Sequence, residues 1–264
     1  MKNELILLRE DRGPVAVLTL NRPEARNSLS LALIGVLHDA VRELGVVDAI
    51  RAIVVTGTGT AFSSGHDLKE LTAHRNDPDR GRDFFAKTMT ACSEMMLAIV
   101  RCPKPVIAGV NGIATAAGCQ LVASCDLAVA ADDARFATPG VNIGLFCSTP
   151  MVALSRNVSR KAAMEMLLLG DMVSADDART LGLVNRVVAP DRVVNEAVEL
   201  GRKIAEKPKR TLKIGKDAFY RQLDMSLEDA YRYASTVMVE NMLDEEAEEG
   251  IGAFIDKRAP RWPE

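Results

Sequence analysis

What most constrains this chain is an alternation. Apolar runs of strand length take turns with amphipathic helical stretches as far as Val188, and then the strand signal stops. Pro14–Leu20, Ala52–Thr56, Val106–Val110 and Leu127–Ala130 are short and apolar, as strands buried on both faces are. Between the first two, Ser28 stands where it can cap a helix whose apolar residues Leu31, Ile34, Leu37, Val41 and Leu44 recur at helical spacing. Phe84–Val100 predicts a second long helix, stopped by Pro103 and Pro105. Strands separated by helices predict an α/β core. Glu4–Arg9 and Pro14–Leu20, parted by Asp11-Arg12-Gly13, predict a hairpin at its start. From Asp191 onward Val193–Ala205, Thr211–Tyr220, Leu227–Met242 and Glu245–Phe254 all predict helices. The break at Ala189-Pro190 therefore predicts an α/β core over 1–190 and a helical region over 191–264.

Several classes of function find no support. A net charge of −3 creates no field that would recruit nucleic acid, and aromatic residues at 4% offer few surfaces for base stacking. The five cysteines, at 92, 102, 119, 125 and 147, form no C-x-x-C pair and sit among apolar or small residues, so they are expected as reduced, buried thiols. His38, His66 and His74 are scattered and no H-E-x-x-H occurs, so no metal site is expected. The opening MKNELILLRE lacks a long apolar core, and no run approaches the ~18 apolar residues of a membrane span. A soluble, cytoplasmic protein with no membrane or nucleic-acid partner is the expectation.

Two loops of small residues carry the chemistry. Ala61-Phe62-Ser63-Ser64-Gly65-His66-Asp67-Leu68-Lys69 leads from a strand into a short helix whose first turn suits acidic Asp67. Val110-Asn111-Gly112-Ile113-Ala114-Thr115-Ala116-Ala117-Gly118-Cys119-Gln120 leads from a strand into a helix opening with Ala-Ala-Gly. Tiny residues let a ligand reach the backbone, and the first N–H groups of a helix have no partner inside it. Two such places can jointly hold one carbonyl oxygen, or they can simply be close helix–strand packing with Thr115 as an ordinary N-cap. The Gly57-Thr58-Gly59 stretch lacks the third glycine of a dinucleotide fingerprint, and there is no Walker lysine and no G-x-S-x-G elbow.

Taken in order, Leu20-Asn21-Arg22-Pro23-Glu24-Ala25-Arg26-Asn27-Ser28-Leu29, the Phe62–Lys69 loop, Val110–Gln120 and Ser124-Cys125-Asp126-Leu127 resemble the signatures of the enoyl-CoA hydratase/isomerase, or crotonase, family. Ala134-Arg135-Phe136, Gly182-Leu183-Val184-Asn185 and Phe254-Ile255-Asp256-Lys257-Arg258-Ala259-Pro260 extend the resemblance over nearly the whole chain. It implies a spiral of ββα units whose C-terminal helices build homotrimers, often paired into hexamers. It implies an acyl-CoA thioester as ligand, with its carbonyl held by the backbone N–H groups of His66 and Ala117. CoA would lie along Ala25, Arg26 and the segment His66, Asp67, Leu68, Lys69, with Arg26 meeting a phosphate. No cofactor is implied beyond the CoA that belongs to the substrate.

The resemblance breaks at the two acids. Members that hydrate enoyl-CoA set two glutamates around one water; the matching positions here are Gln120 and Gly140. Neither exchanges a proton near neutral pH. Acid–base help is worth roughly 10²–10⁴ in rate, so hydration is expected to be severely slowed. Asp67 and Asp126 are poor replacements, and Cys147 and Ser148 are expected chiefly to pack. Four possibilities stay open: a weak hydratase, a non-catalytic acyl-CoA-binding protein, a different crotonase reaction with a recruited base (dihydroxynaphthoyl-CoA synthases with glycine at this place recruit bicarbonate), and a structural subunit beside an active paralogue.

Overall fold

The computed structural model describes residues 5–263; Glu4, the first residue of the predicted opening strand, lies outside the described residues. β1 (Leu7–Arg12) and β2 (Val15–Leu20) form the hairpin, with Leu7 opposite Leu20. Gly13 makes the reversal at φ 68°, where a side chain would be strained.

The helix that follows, α1 (Leu31–Val46), is capped by Ser30, whose side chain accepts from Leu33 N–H, and not by Ser28. Ser28 is taken by other partners: its carbonyl accepts from the Arg22 guanidinium at 2.7 Å and its hydroxyl donates to Asp67. Leu33 joins Ile34, Leu37, Val41 and Leu44 on the buried face. Each of these side chains removed from water contributes about 1.5–3 kcal/mol.

From here the chain repeats one turn three times. β3 (Ala52–Gly57), β4 (Ala61–Ser63), α2 (Leu68–Ala73) and α3 (Arg82–Arg101) make the first turn. β5 (Val106–Val110), β6 (Ile113–Thr115) and α4 (Ala117–Ser124) make the second, and β7 (Leu127–Ala131), β8 (Arg135–Ala137), α5 (Ser148–Leu154) and α6 (Arg160–Leu169) the third. β9 (Val173–Ser174), α7 (Ala175–Leu181) and β10 (Arg186–Val188) complete the sheets. Each turn thus lays its first strand in a six-stranded sheet, order β1-β2-β3-β5-β7-β10, and its second in a four-stranded sheet, order β4-β6-β8-β9. Beyond the hairpin every pair in the larger sheet is parallel, as crossover connections require. This is the spiral of ββα units that the resemblance implies.

α8 (Val193–Ala205) buries Val193, Ala197 and Val198. A Cβ at Gly201 would stand 2.9 Å from a Val15 methyl and 3.3 Å from the Ala52 methyl, so this helix lies directly on β2 and β3. The first compact unit accordingly runs to Arg202, past the break expected at Ala189-Pro190. The second starts at Lys203 and holds α9 (Lys209–Gln222), α10 (Leu227–Met242) and α11 (Glu245–Ile255). Its joint is the buried Glu246 carboxylate, which accepts from the N–H groups of Arg210 and Thr211 at 3.0 and 2.8 Å and so closes the N-terminus of α9. No helix among the described residues is long and apolar enough to cross a membrane.

Candidate active site

The two small-residue loops meet. Leu29 forms a single parallel bridge to the strand-like stretch around His66: Leu29 N–H donates to the Gly65 carbonyl at 2.7 Å, and Asp67 N–H donates to the Leu29 carbonyl at 3.2 Å. In such a ladder the intervening residue, His66, turns its own N–H to the opposite side. Across that side lies the start of α4. A Cβ at Gly65 would fall 2.9 Å from the Ala116 Cβ and 3.3 Å from the Ala117 nitrogen, and Gly65 adopts φ 90° besides. Only glycine allows the loops this approach.

Thr115 does not cap α4; it belongs to β6, and the cap position is Ala116, without a side-chain bond. Ala116 holds φ 50°, ψ −118°, costly for a residue with a Cβ, and is fixed there by its N–H on the Ala137 carbonyl at 2.9 Å. The first N–H groups of α4, with that of Ala117 foremost, are thereby left to face outward from the helix end.

His66 and Ala117 line one cavity of about 630 Å³. Its wall is mainly apolar, with Leu68 and Leu71 from α2, Phe85 and Met89 from α3, and Leu145 and Phe146 from the segment before α5. Gly140, Cys147 and Ser148 also line it, and no Asp or Glu does among the described residues. Burial pushes the His66 imidazole below its ordinary value, the Leu29 carbonyl offsetting this only in part. Among the described residues neither ring nitrogen makes a well-formed hydrogen bond, and burial favours the uncharged ring.

Gln120 sits one helical turn beyond Ala117 on the same face of α4. It is 4% exposed and its Oε1 has no partner among the described residues, a condition that costs roughly 1–3 kcal/mol until something donates to it. Gly140 is closely surrounded. It does not leave an open space, because Gly144 at φ 77° folds the chain back and Leu145 N–H donates to the Gly140 carbonyl at 2.9 Å. A Cβ at Gly140 would stand 2.7 Å from the Leu145 carbonyl oxygen and 2.9 Å from Cys147 Sγ. The space beside Gly140 is occupied by backbone and thiol.

None of the five cysteines forms a disulfide, and all are buried. Burial pushes the Cys147 thiol up against a smaller effect of the Gly140 N–H, and pushes Cys119 up to about 12 with Cys147 adding to it. Both are thiols, not thiolates, at neutral pH, in keeping with packing.

The remaining expected residues divide. Leu68 lines the cavity, and Lys69 is exposed with its N–H on Asp67. Asp67 is the N-cap of α2 and is paired with Arg22 at 2.9 Å. Desolvation raises its pKa, but the Arg22 guanidinium, the Glu70 N–H and Ser28 together outweigh it and hold the carboxyl below its ordinary value. It is a brace, not a base. Asp126 likewise accepts from Val106 N–H at 2.7 Å. Ala25 ends a 3₁₀ turn, Pro23–Ala25, and Arg26 follows it at φ 50° with its side chain exposed. The Arg26 carbonyl accepts from Ser64 N–H at 3.0 Å, and Ser64 lines the cavity; Ala25 and Arg26 do not. Arg75 was missed. It lines the cavity too, but in the run His74-Arg75-Asn76-Asp77-Pro78-Asp79 it reads as ordinary surface charge.

Residues 10–264 match the family described as enoyl-CoA hydratase/isomerase. The crystal structure of an enoyl-CoA hydratase from Mycobacterium smegmatis aligns at TM-score 0.92 and 53% identity over 98% of this chain and 99% of its own. That of human enoyl Coenzyme A hydratase domain-containing protein 3 aligns at TM-score 0.92 and 44% identity over 98% of this chain and all of its own, 100%. The mitochondrial enoyl-CoA hydratase domain-containing protein 3 of Xenopus laevis is 46% identical over 258 residues, 98% of this chain and 86% of that protein. Its rat and human counterparts are also named mitochondrial, which overturns the expectation of a cytoplasmic location. The match over residues 10–264, the spiral of ββα units and the identities to these relatives agree: the chain belongs to the enoyl-CoA hydratase/isomerase family.

Proposed function

We propose that the protein binds an acyl-CoA thioester with its carbonyl oxygen between the backbone N–H groups of His66 and Ala117, and that it polarises this carbonyl without hydrating the neighbouring double bond efficiently. The carrying observation is the contact made possible by Gly65, which brings the two donors to one mostly apolar cavity. Preorganised donors of this kind stabilise an enolate or tetrahedral oxyanion, each being worth about 10²–10³ in rate. With Gln120 and Gly140 in place of acids, and the space at Gly140 filled, no carboxylate among the described residues of the cavity wall is there to exchange protons with the substrate. The filled space also disfavours a bicarbonate seated at that point. Acyl-CoA binding with carbonyl polarisation is therefore preferred over hydration, and CoA enters as part of the substrate with no separate cofactor. The test is a structure with a bound acyl-CoA: the thioester oxygen is expected within about 3.2 Å of both nitrogens, and an oxygen beyond hydrogen-bonding distance of both refutes the assignment.

The same reading extends to assembly as a homotrimer, or a hexamer of paired trimers. The second unit leaves Phe254 at 85%, Leu243 at 78% and Leu227 at 76% exposure, more apolar surface than a lone soluble chain ordinarily shows. Light scattering is expected to give three or six times the 28.6 kDa chain mass; a monomer at micromolar concentration counts decisively against it.

A further inference from the structure

The cavity wall contains one permanently charged side chain among the described residues, and it faces no carboxylate. Leu68, Leu71, Thr72 and Arg75 follow one another at spacings of three, one and three residues, so they share one face of α2 and its 3₁₀ extension, and all four line the cavity. At 1.5–2.0 Å per residue, Arg75 stands about 10–12 Å along that face from Leu68.

The end of this face is held in place. The His74 ring stacks on Phe84 with centroids 3.6 Å apart, and the Arg75 guanidinium lies over the Phe85 ring at 5.7 Å. The carboxylates nearest in sequence are engaged elsewhere: Asp77 with His74 Nδ1 at 2.7 Å, and Asp79 with the N–H groups of Gly81 and Asp83. Arg75 makes no ion pair or side-chain hydrogen bond among the described residues. Its surroundings in the cavity, Leu71, Phe85 and Met89, are apolar.

A cation held against an aromatic ring, at the edge of an apolar cavity and without an anion of its own, is complementary to one anionic group on the ligand. A phosphate would call for several donors, and no second cation lines this wall. One carboxylate on an otherwise apolar chain fits. Resting on the acyl-CoA reading above, we propose that Arg75 is a specificity residue that receives the free carboxylate of a dicarboxylic acyl-CoA, a thioester whose acyl chain ends in an acid and not a methyl group.

The test compares adipoyl-CoA with hexanoyl-CoA, six carbons each, by calorimetric titration of the wild-type protein, Arg75→Gln and Arg75→Lys, with free CoA as a third ligand. Wild type is expected to bind adipoyl-CoA about tenfold tighter than hexanoyl-CoA, the scale of one charge-assisted hydrogen bond at a partly hydrated site. Arg75→Gln should erase that preference, so that the two thioesters bind alike, and the thermal midpoint and circular dichroism of the variant report that it is folded. Arg75→Lys should keep part of the preference, since the charge remains without the fork. Equal binding of both thioesters by wild type overturns the role of Arg75 and leaves the acyl-CoA reading standing. Weaker binding of all three ligands by Arg75→Gln means a phosphate contact and also overturns it. If wild type binds neither thioester, the underlying reading fails, and the inference with it.

Discussion

Crotonyl-CoA hydration by this protein is expected to run at least about a thousandfold slower than by a family member that carries both glutamates, the midrange of what acid–base groups contribute. Addition of water needs one group to take a proton from the water and one to give a proton to the α-carbon. Gln120 has the shape of a glutamate, but its Oε1 is buried and its amide does neither. Loss of the enoyl absorbance under saturating substrate measures the rate directly, and brisk turnover would show that a base has been overlooked. Putting the acids back is not expected to restore the activity. Gln120→Glu alone returns one of two groups that act as a unit. Adding Gly140→Glu sets a Cβ 2.7 Å from the Leu145 carbonyl oxygen and 2.9 Å from Cys147 Sγ, so the Leu145–Cys147 segment must move before the carboxylate can reach the substrate. The double variant should therefore lose stability and remain slow. A double variant that hydrates as fast as a two-glutamate enzyme refutes the filled-space account.

The second large effect is expected from a single methyl group. A Cβ at Gly118 would run into the Ser63 carbonyl oxygen, with the Ser63 carbonyl carbon at 2.8 Å and Ser63 Cβ at 2.9 Å. These are atoms of β4, anchored by the Ser63 hydroxyl, which donates to the Asn27 carbonyl at 2.9 Å. They have little freedom to give way. Gly118→Ala must push the first turn of α4 off the smaller sheet, at a cost of about 1–3 kcal/mol or more, and must displace Ala117 N–H as it does so. Both the thermal midpoint and acyl-CoA affinity should fall. Gly35→Ala is the control. Gly35 lies inside α1 with nothing within 4 Å of its missing Cβ, so the same substitution there should stabilise by about 0.5–1 kcal/mol through helix propensity. Equal responses from the two sites would rule out close approach at Gly118.

These positions also show what could be seen in the sequence and what could not. Val106–Val110 and the helices Val193–Ala205 and Leu227–Met242 have the bounds expected from their patterns, because long apolar or amphipathic runs carry a periodic signal. The smaller sheet was not visible. Its strands have two or three residues each, too few for a period, and it forms only because each spiral turn presents the next edge. The serine that caps α1 was misplaced by two residues, since Ser28 looks as good a cap as Ser30 until Arg22 and Asp67 claim it. At the site, the resemblance named the positions without acids, but the filled space beside Gly140 depends on Leu145 and Cys147, which no local pattern connects to it. Arg75 was hidden for the opposite reason: a single arginine in a charged stretch has no signature, and its importance comes from Phe85 and the apolar wall around it.

The single bridge at Leu29 has a practical consequence for anyone mapping this site by mutation. The direction of His66 N–H is set by hydrogen bonds of its neighbours, Gly65 and Asp67, to Leu29, and that of Ala117 by the helix it begins. Removing the imidazole leaves the first donor where it was, and at position 117 there is nothing for an alanine scan to remove. Truncating side chains one at a time would therefore pass over both proposed donors and score them as silent. The positions that would register are the ones with no side chain to lose, Gly65 and Gly118, where the informative change is to add an atom.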